Sequence, residues 1–314
     1  MKKTINIILI LLFTALFSAC SGNSDKKTAD ASSSKEAETI SASVQSQEPA
    51  SAEDKKENPK ETASSKNTEA SQTENAPAAG IPEKLILGLD ASFPPMGYTD
   101  ENNNIVGVDI DLAKAVCEKL NIEFEAKPID WASKEMELST GKITVIWNGM
   151  TITEEREEAM EVSRPYIESQ LVIAVKKGSD IKTKADLAGK VVAAQSDSSG
   201  LFAIQKDEIY PSIKDGTAKE YPDYLTALGD LDVGRCDALI IDSVLINFYM
   251  AQKDMNFDIL EEKLNAESFG IAAIKGNKEL INAIEGALSA LAEEGKIAEI
   301  SNRWFGKDDM IITY

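Results

Sequence analysis

Beyond residue 82, short apolar runs typical of buried strands alternate with stretches whose apolar residues recur at helical spacing. The first strand is predicted over 85–89 and the first helix over 109–120, with Asp109 as its N-cap. The other predicted strands are 122–127, 143–147, 171–175, 191–194, 218–221, 238–241 and 269–274, and the other predicted helices are 133–139, 184–187, 224–233, 243–250, 278–292 and 296–304. Strands that alternate with helices form parallel sheets through right-handed crossovers, so the pattern predicts an α/β fold.

The first twenty residues have the features of a bacterial signal peptide. Two lysines precede an apolar run over 5–17, which is too short for a comfortable transmembrane helix, and small residues follow it. Residues 17–20 resemble a lipobox, in which the cysteine is lipid-modified, although Phe17 stands where leucine is usual. We therefore predict a lipoprotein signal peptide over 1–20 with lipid on Cys20; the alternative is an ordinary secretory signal with a chance cysteine.

Residues 21–81 differ sharply in composition from the rest of the chain. Ser, Ala, Glu, Lys and Thr dominate, and the segment contains no Phe, Trp, Tyr or Leu. Such a chain cannot bury enough apolar surface to offset its loss of conformational entropy. The composition predicts a disordered tether between the signal peptide and the folded part.

The formal net charge of −20 and the absence of histidine exclude several functions. Nucleic-acid binding requires a positive surface. Without histidine, the chain cannot build Ser-His-Asp or Cys-His nucleophilic machinery or a histidine-ligated zinc site. Because anionic lipid repels an acidic protein, any membrane contact has to be hydrophobic or covalent.

Polar clusters follow several of the predicted strands. They lie at Asp90, 148–151, 195–199 and Asp242, and they come from both halves of the folded part. In open α/β sheets, ligands bind beyond the carboxyl ends of the strands. The clusters therefore converge on one site only if two lobes face each other across a cleft.

Arg156 and Asp242 provide complementary charges for such a site. Thr153 is placed to cap a helix, which puts Arg156 on its first turn, and a guanidinium binds a carboxylate bidentately. Asp242, at a strand end in the other half, can pair with an ammonium group. Together the two side chains suit an α-amino acid zwitterion; the alternative is that each pairs with neighbours at the surface.

Four segments, read together, carry a resemblance to a known family. The chain resembles solute-binding proteins of polar amino acid ABC importers, family 3 of the bacterial extracellular solute-binding proteins, over about residues 82–308. The segments are 90–96, 106–113, 147–156 and 235–242. The resemblance implies a two-lobed, type II periplasmic-binding-protein-like fold, in which two crossing strands join two α/β lobes.

The same resemblance implies how the lobes divide the chain. Lobe 1 would comprise 82–170 and 268–314, and lobe 2 would comprise 171–267. The crossing strands would lie near 168–172 and 266–270. Hinge closure of the lobes around the ligand would then exclude water from the charge contacts.

Roles for the polar ends of the ligand also follow from the resemblance. Arg156 would clamp the α-carboxylate, and Asp242 would accept the α-ammonium. Further contacts to these two groups would come from Thr151, Ser198, Ser199 and the Gly149 carbonyl.

The ligand side chain would be held by a third group of residues. Phe93 and Trp131 would sandwich it, Asp90 would lie near its polar end, and Asn148 would line the site. Asp197 stands where the family usually has glycine, which changes that loop and disfavours acidic ligands. Cystine, glutamine and arginine all remain open as ligands.

The resemblance implies binding without catalysis, and no cofactor or metal is expected. A monomer anchored by lipid to the outer face of the cytoplasmic membrane, at a Gram-positive cell surface, would deliver its ligand to an ABC permease. Alternatives are a same-fold enzyme of the cyclohexadienyl dehydratase type, or a surface adhesin or sensor lipoprotein. The run 100–105 resembles the start of a calcium loop, but Ile105 replaces the required glycine, so a hairpin turn is predicted.

Overall fold

A computed structural model of the chain describes residues 80–252 and 255–313, which belong to one unit, residues 70–314. The signal peptide over 1–20, Cys20 and nearly all of the tether lie outside the described residues. Among the described residues, no helix combines the length and the apolar character needed to span a bilayer.

Strands and helices alternate along the chain as the apolar pattern predicts. The strands are β1 (Lys84–Leu89), β2 (Ser92–Phe93), β3 (Gly97–Thr99), β4 (Ile105–Val106), β5 (Glu123–Pro128), β6 (Val145–Thr151), β7 (Met160–Val162), β8 (Ile167–Lys176), β9 (Val192–Gln195), β10 (Lys219–Tyr221), β11 (Ala238–Asp242) and β12 (Phe257–Ile274). The helices are α1 (Val108–Leu120), α2 (Lys134–Ser139), α3 (Glu154–Ala159), α4 (Ser199–Lys206), α5 (Tyr224–Asp232), α6 (Ser243–Gln252), α7 (Lys278–Glu293) and α8 (Lys296–Phe305). Short 3₁₀ turns include Trp131–Ser133 and Lys184–Leu187.

The large sheet consists of two parallel units joined by antiparallel strands. Its order is β10-β9-β11-β8-β12-β6-β1-β5, with β7 beside β12. β1 is parallel to β5 and β6 in one unit, and β9 is parallel to β10 and β11 in the other. β8 and β12 run antiparallel to each other between the units. The α/β class and the two-lobed type II architecture are confirmed.

The two strands at the centre of the sheet connect the lobes. β12 pairs with β8 from Phe257 to Phe269, and from Phe269 onward it pairs with β6. The predicted lobe limits, 170–171 and 267–268, fall within β8 and β12 and stay predictions. Every residue of β6 and of β11 is buried, because these strands have neighbours on both edges and helices on their faces. They are therefore rigid supports for the polar residues at their carboxyl ends.

The predicted N-cap of α1 is wrong. Gly107 occupies the cap position with φ 145°, while Asp109 lies in the first turn of the helix and is buried. The first helical N–H groups need no capping side chain, because Val108 N donates to Pro95 O at 2.8 Å and Asp109 N to Met96 O at 2.9 Å. The carboxylate of Asp109 is therefore free to act elsewhere.

The last strand was predicted over 269–274, but it begins twelve residues earlier. Its first part is rich in Glu, Lys and Asn, so the apolar alternation that signals a strand is missing there. The backbone extends nonetheless because β8 pairs with it, and many of its side chains remain exposed since β6 does not reach that far. Helix α4 was likewise not predicted.

The predicted hairpin turn and two cysteines can be placed in the structure. Residues 100–104 form the turn between β3 and β4, where the Asp100 carboxylate accepts from the N–H groups of Asn102 and Asn104, each at 2.8 Å. Cys117 and Cys236 are both buried free thiols. Their apolar surroundings suit packing residues.

Candidate functional site

The ten residues predicted to contact a ligand all line one cavity between the lobes. The cavity and the open solvent at its mouth together contain about 280 Å³ of space free of protein atoms. Gln195 and Tyr224, which sequence reasoning did not single out, line it as well. The residues from the sequence are Asp90, Phe93, Trp131, Asn148, Gly149, Thr151, Arg156, Ser198, Ser199 and Asp242. The structure brings these residues together, whereas their individual contacts to a ligand stay predictions.

Arg156 is held in place by its own helix and by the strand before it. Thr153 caps α3 by accepting from Arg156 N at 3.2 Å, as predicted. The guanidinium, 4% exposed, donates through Nη1 to Thr151 O at 2.8 Å and through Nη2 to Asp197 O at 3.4 Å. Burial lowers the pKa of Arg156, but a guanidinium stays charged in proteins. Because two of five N–H groups serve carbonyls, others remain to bind an anion.

Asp242 ends β11 on the opposite side of the cavity. Its side chain is 3% exposed, and Oδ1 has no hydrogen-bond partner among the described residues. Burial, followed by the nearby carboxyl group of Glu267, raises the pKa of Asp242 well above its ordinary range. A buried acceptor without a donor costs free energy, so Asp242 can gain by accepting a hydrogen bond from a cationic or neutral donor in the cavity.

Asp90 and Gln195 form a second polar end of the cavity. Asp90 Oδ1 accepts from the N–H and hydroxyl of Ser92 at 3.0 and 2.7 Å, and Oδ2 accepts from Gln195 Nε2 at 2.7 Å. Burial raises the pKa of Asp90, and these hydrogen bonds counteract the shift. The sequence feature that could have identified Gln195 as a site residue is its position at a strand end, within the polar cluster 195–199.

Aromatic rings form the apolar walls. Phe93 packs on Tyr224 with ring centroids 5.8 Å apart and planes tilted by 59°. Trp131 lies in the 3₁₀ turn before α2, and Lys134 Nζ is 5.0 Å from its ring centroid. Phe93, Tyr224 and Trp131 all line the cavity and give it apolar surface. Whether Phe93 and Trp131 enclose a ligand side chain stays a prediction.

Ser198 and Ser199 serve the structure differently. The Ser198 hydroxyl donates to Gln195 O at 2.7 Å and accepts from Leu201 N at 3.1 Å, so it caps α4. The Ser199 hydroxyl accepts from Thr151 Oγ1 at 3.1 Å. Ser198 therefore fixes the loop at the cavity, while Ser199 links the two lobes.

Several side-chain pairs among the described residues join the two sides of the cleft, and we call three of them the closure contacts. They are Asp90–Gln195, Thr151–Ser199 and the ion pair Lys134–Asp197. Asp197 has φ 55°, a conformation that favours glycine, and its pairing with buried Lys134 explains an aspartate there. Burial, and next the charge of Arg156, lowers the pKa of Lys134.

Gly149 allows the strand to approach the cavity closely. Its φ is 57°, and a Cβ there would lie 2.8 Å from Phe93 Cε1. Its N–H donates to Asp109 Oδ2 at 3.0 Å and also to the Tyr166 hydroxyl oxygen at 3.3 Å. Burial raises the pKa of Asp109 to about 8. Asp109, proposed from sequence as a cap, thus supports the backbone of the site.

The fold and the cavity together define a class of protein. The family model for bacterial extracellular solute-binding proteins, family 3, matches residues 85–307. The chain belongs to this family. Two lobes with polar clusters facing one cleft are the architecture through which such proteins bind solutes.

Individual relatives show the amino acids with which this family is associated. The chain is 28% identical to the L-cystine-binding protein TcyJ of Escherichia coli over 226 residues, 71% of this chain and 83% of that protein. It is 32% identical to ABC transporter arginine-binding protein 1 of Escherichia coli over 232 residues, 72% and 93% of the two chains. These relatives are transport binding proteins, and the chain is a solute-binding protein rather than an enzyme.

A solved structure shares the fold. It is an ABC uptake transporter substrate-binding protein from Streptococcus pneumoniae, solved with bound histidine. The two chains are 37% identical with a TM-score of 0.70, over 72% of this chain and 94% of the other. The likeness therefore extends over nearly the whole of the known domain.

Proposed function

We propose that the protein captures a polar α-amino acid between its lobes by hinge closure and delivers it to the permease of an ABC transporter. One observation carries this proposal: a buried cation, Arg156, and a buried carboxylate, Asp242, line one cavity from opposite lobes. Asn148 Nδ2, Tyr224 OH and Asp242 Oδ1 are buried without hydrogen-bond partners among the described residues, and all three side chains line the cavity. A zwitterionic ligand provides complementary groups for them.

The other polar end limits the ligand's side chain. Asp90 places a carboxylate there, with the Gln195 amide beside it. A carboxylate repels an acidic side chain and accepts hydrogen bonds from a neutral or cationic one. We propose a ligand with a polar neutral or basic side chain, a range that includes cystine, glutamine and arginine.

Thermal unfolding of the full chain with each of the twenty amino acids and cystine tests this function. A ligand at 100 times its dissociation constant adds about 2.7 kcal/mol. For a domain of this size, that corresponds to a rise of about 5–10 °C in Tm. The amine that lacks the α-carboxylate of the best ligand is the control and should give little shift. No shift with any amino acid would refute the proposal.

We also propose that lipid on Cys20 holds the protein on the outer face of the cytoplasmic membrane of a Gram-positive cell. The support is the run 17–20 after the apolar segment. A net charge of −20 makes electrostatic attachment to anionic lipid unfavourable, so attachment has to be hydrophobic or covalent, and a lipid on Cys20 meets this requirement.

Metabolic labelling with a palmitate analogue tests the anchor. The wild-type protein should incorporate the label and fractionate with membranes, whereas Cys20→Ala should do neither. Cys117→Ala is the matched control, because that buried thiol is outside the lipobox, and it should be labelled normally. Label retained by Cys20→Ala would contradict lipidation at this residue.

A further inference from the structure

Asp242 has a carboxyl neighbour that the zwitterion scheme does not use. Glu267 lies in β12 and is 6% exposed. It pairs with Ser169 on one edge of β8, and Asp242 pairs with Leu171 on the other edge, so both carboxyl groups lie on the same face of the sheet. Asp242 Oδ1 and Glu267 Oε2 are buried and have no hydrogen-bond partner among the described residues. Two ionised carboxylates offer acceptors only, so a hydrogen bond between them requires one proton.

The surroundings of the pair favour holding that proton. Arg156 on α3 is the cation that acts on both carboxyl groups, and the hydroxyls of Thr151 and Ser199 lie near Glu267. The buried Tyr224 hydroxyl on α5 also faces the pair, and the charges of both carboxyl groups act on its pKa. The charged groups around Arg156 are Asp197, Glu135 and Lys134. One guanidinium does not balance two buried negative charges. Burial is the first cause that raises the pKa of each carboxyl.

We infer that Asp242 and Glu267 share one proton in the ligand-free protein and release it when the ligand's α-ammonium binds. Asp242 Oδ1, which lacks a donor, is the oxygen placed to receive the ammonium. On binding, an O–H bond of the pair breaks, an ammonium N–H···O contact forms, and the proton passes to buffer. Glu267 is thus a positioning residue that acts through Asp242.

The inference rests on the proposed function and predicts a pH dependence of affinity. Because binding releases a proton, raising the pH favours the complex. The pKa of the pair falls when the ligand binds, so affinity rises with pH up to the pKa of the ligand-free pair and then levels off. One released proton corresponds to about a tenfold gain in affinity per pH unit below that pKa.

Calorimetric titration at about pH 7 in buffers of different ionisation enthalpy counts the protons. The titrant is the amino acid, among the twenty and cystine, that most stabilises the full chain. The wild-type protein should release close to one proton per ligand bound. In Glu267→Gln the amide donates to Asp242 and keeps it ionised, so we expect almost no release and an affinity nearly independent of pH.

The controls separate this inference from the proposed function. Glu261→Gln, on an exposed position of the same strand, should release protons as the wild type does. Binding without buffer-dependent heat in the wild type, or unchanged proton release in Glu267→Gln, would overturn the shared proton and leave amino acid binding intact. If no amino acid binds, both the shared proton and the proposed function are refuted.

Discussion

Replacing Arg156 by alanine is expected to weaken amino acid binding by about 30-fold to several thousand-fold. Truncating one partner of a buried, hydrogen-bonded charge pair costs about 2–5 kcal/mol. Arg156 is 4% exposed and lines the cavity, so water cannot replace the guanidinium opposite a ligand carboxylate. Calorimetric titration measures the change in affinity, and ligand-induced stabilisation should nearly vanish in the same variant.

Two further variants make this expectation specific. Arg156→Lys keeps the charge but loses the planar fork, so it should recover only part of the affinity. Arg235→Ala removes an exposed arginine that pairs with Asp230, and it should bind as the wild type does. Wild-type affinity in Arg156→Ala, with its unfolding transition intact, would refute the carboxylate role.

The second large effect concerns stability. Gly107→Ala is expected to lower the free energy of unfolding by about 3 kcal/mol or more, or to prevent folding. Gly107 has φ 145°, and a Cβ there would lie 2.2 Å from Met96 O and 2.8 Å from Pro95 O. These are backbone atoms that accept from the first turn of α1, so they cannot yield without breaking its N-terminal hydrogen bonds. Chemical denaturation measures the loss.

Gly189→Ala is the matched control for backbone strain alone. Its φ is 70°, yet no atom would lie within 4 Å of the new Cβ. We expect a loss of only about 1 kcal/mol there, because positive φ is penalised without a clash. Equal losses in the two variants would show that the contacts with Pro95 and Met96 do not matter.

Local patterns predicted the elements with strong apolar periodicity. The strand at 85–89 and the helix at 109–120 match β1 and α1 almost to the residue. Thr153 and Arg156 were placed correctly because a capping interaction spans only three residues. Such features depend on near neighbours in the chain, and the sequence alone is therefore enough to predict them.

Features that depend on distant partners were missed. Lys134 reads as a surface residue of a short helix, yet it is buried because Asp197 pairs with it across the cleft. Glu267 lies in a charged stretch, and its burial near Asp242 depends on the long-range pairing of β12. Asp109 follows the same rule, since its partner Gly149 is forty positions away.

One of the closure contacts separates how tightly the protein binds from which ligand it prefers. Lys134 and Asp197 pair with each other and do not line the cavity, so the free energy that this ion pair contributes to the proposed closing is the same for every ligand. A substitution at Lys134 that alters this free energy multiplies all affinities by one factor and leaves their ratios unchanged. Substitution of Lys134 would therefore change the affinity for every ligand without changing which ligand is preferred.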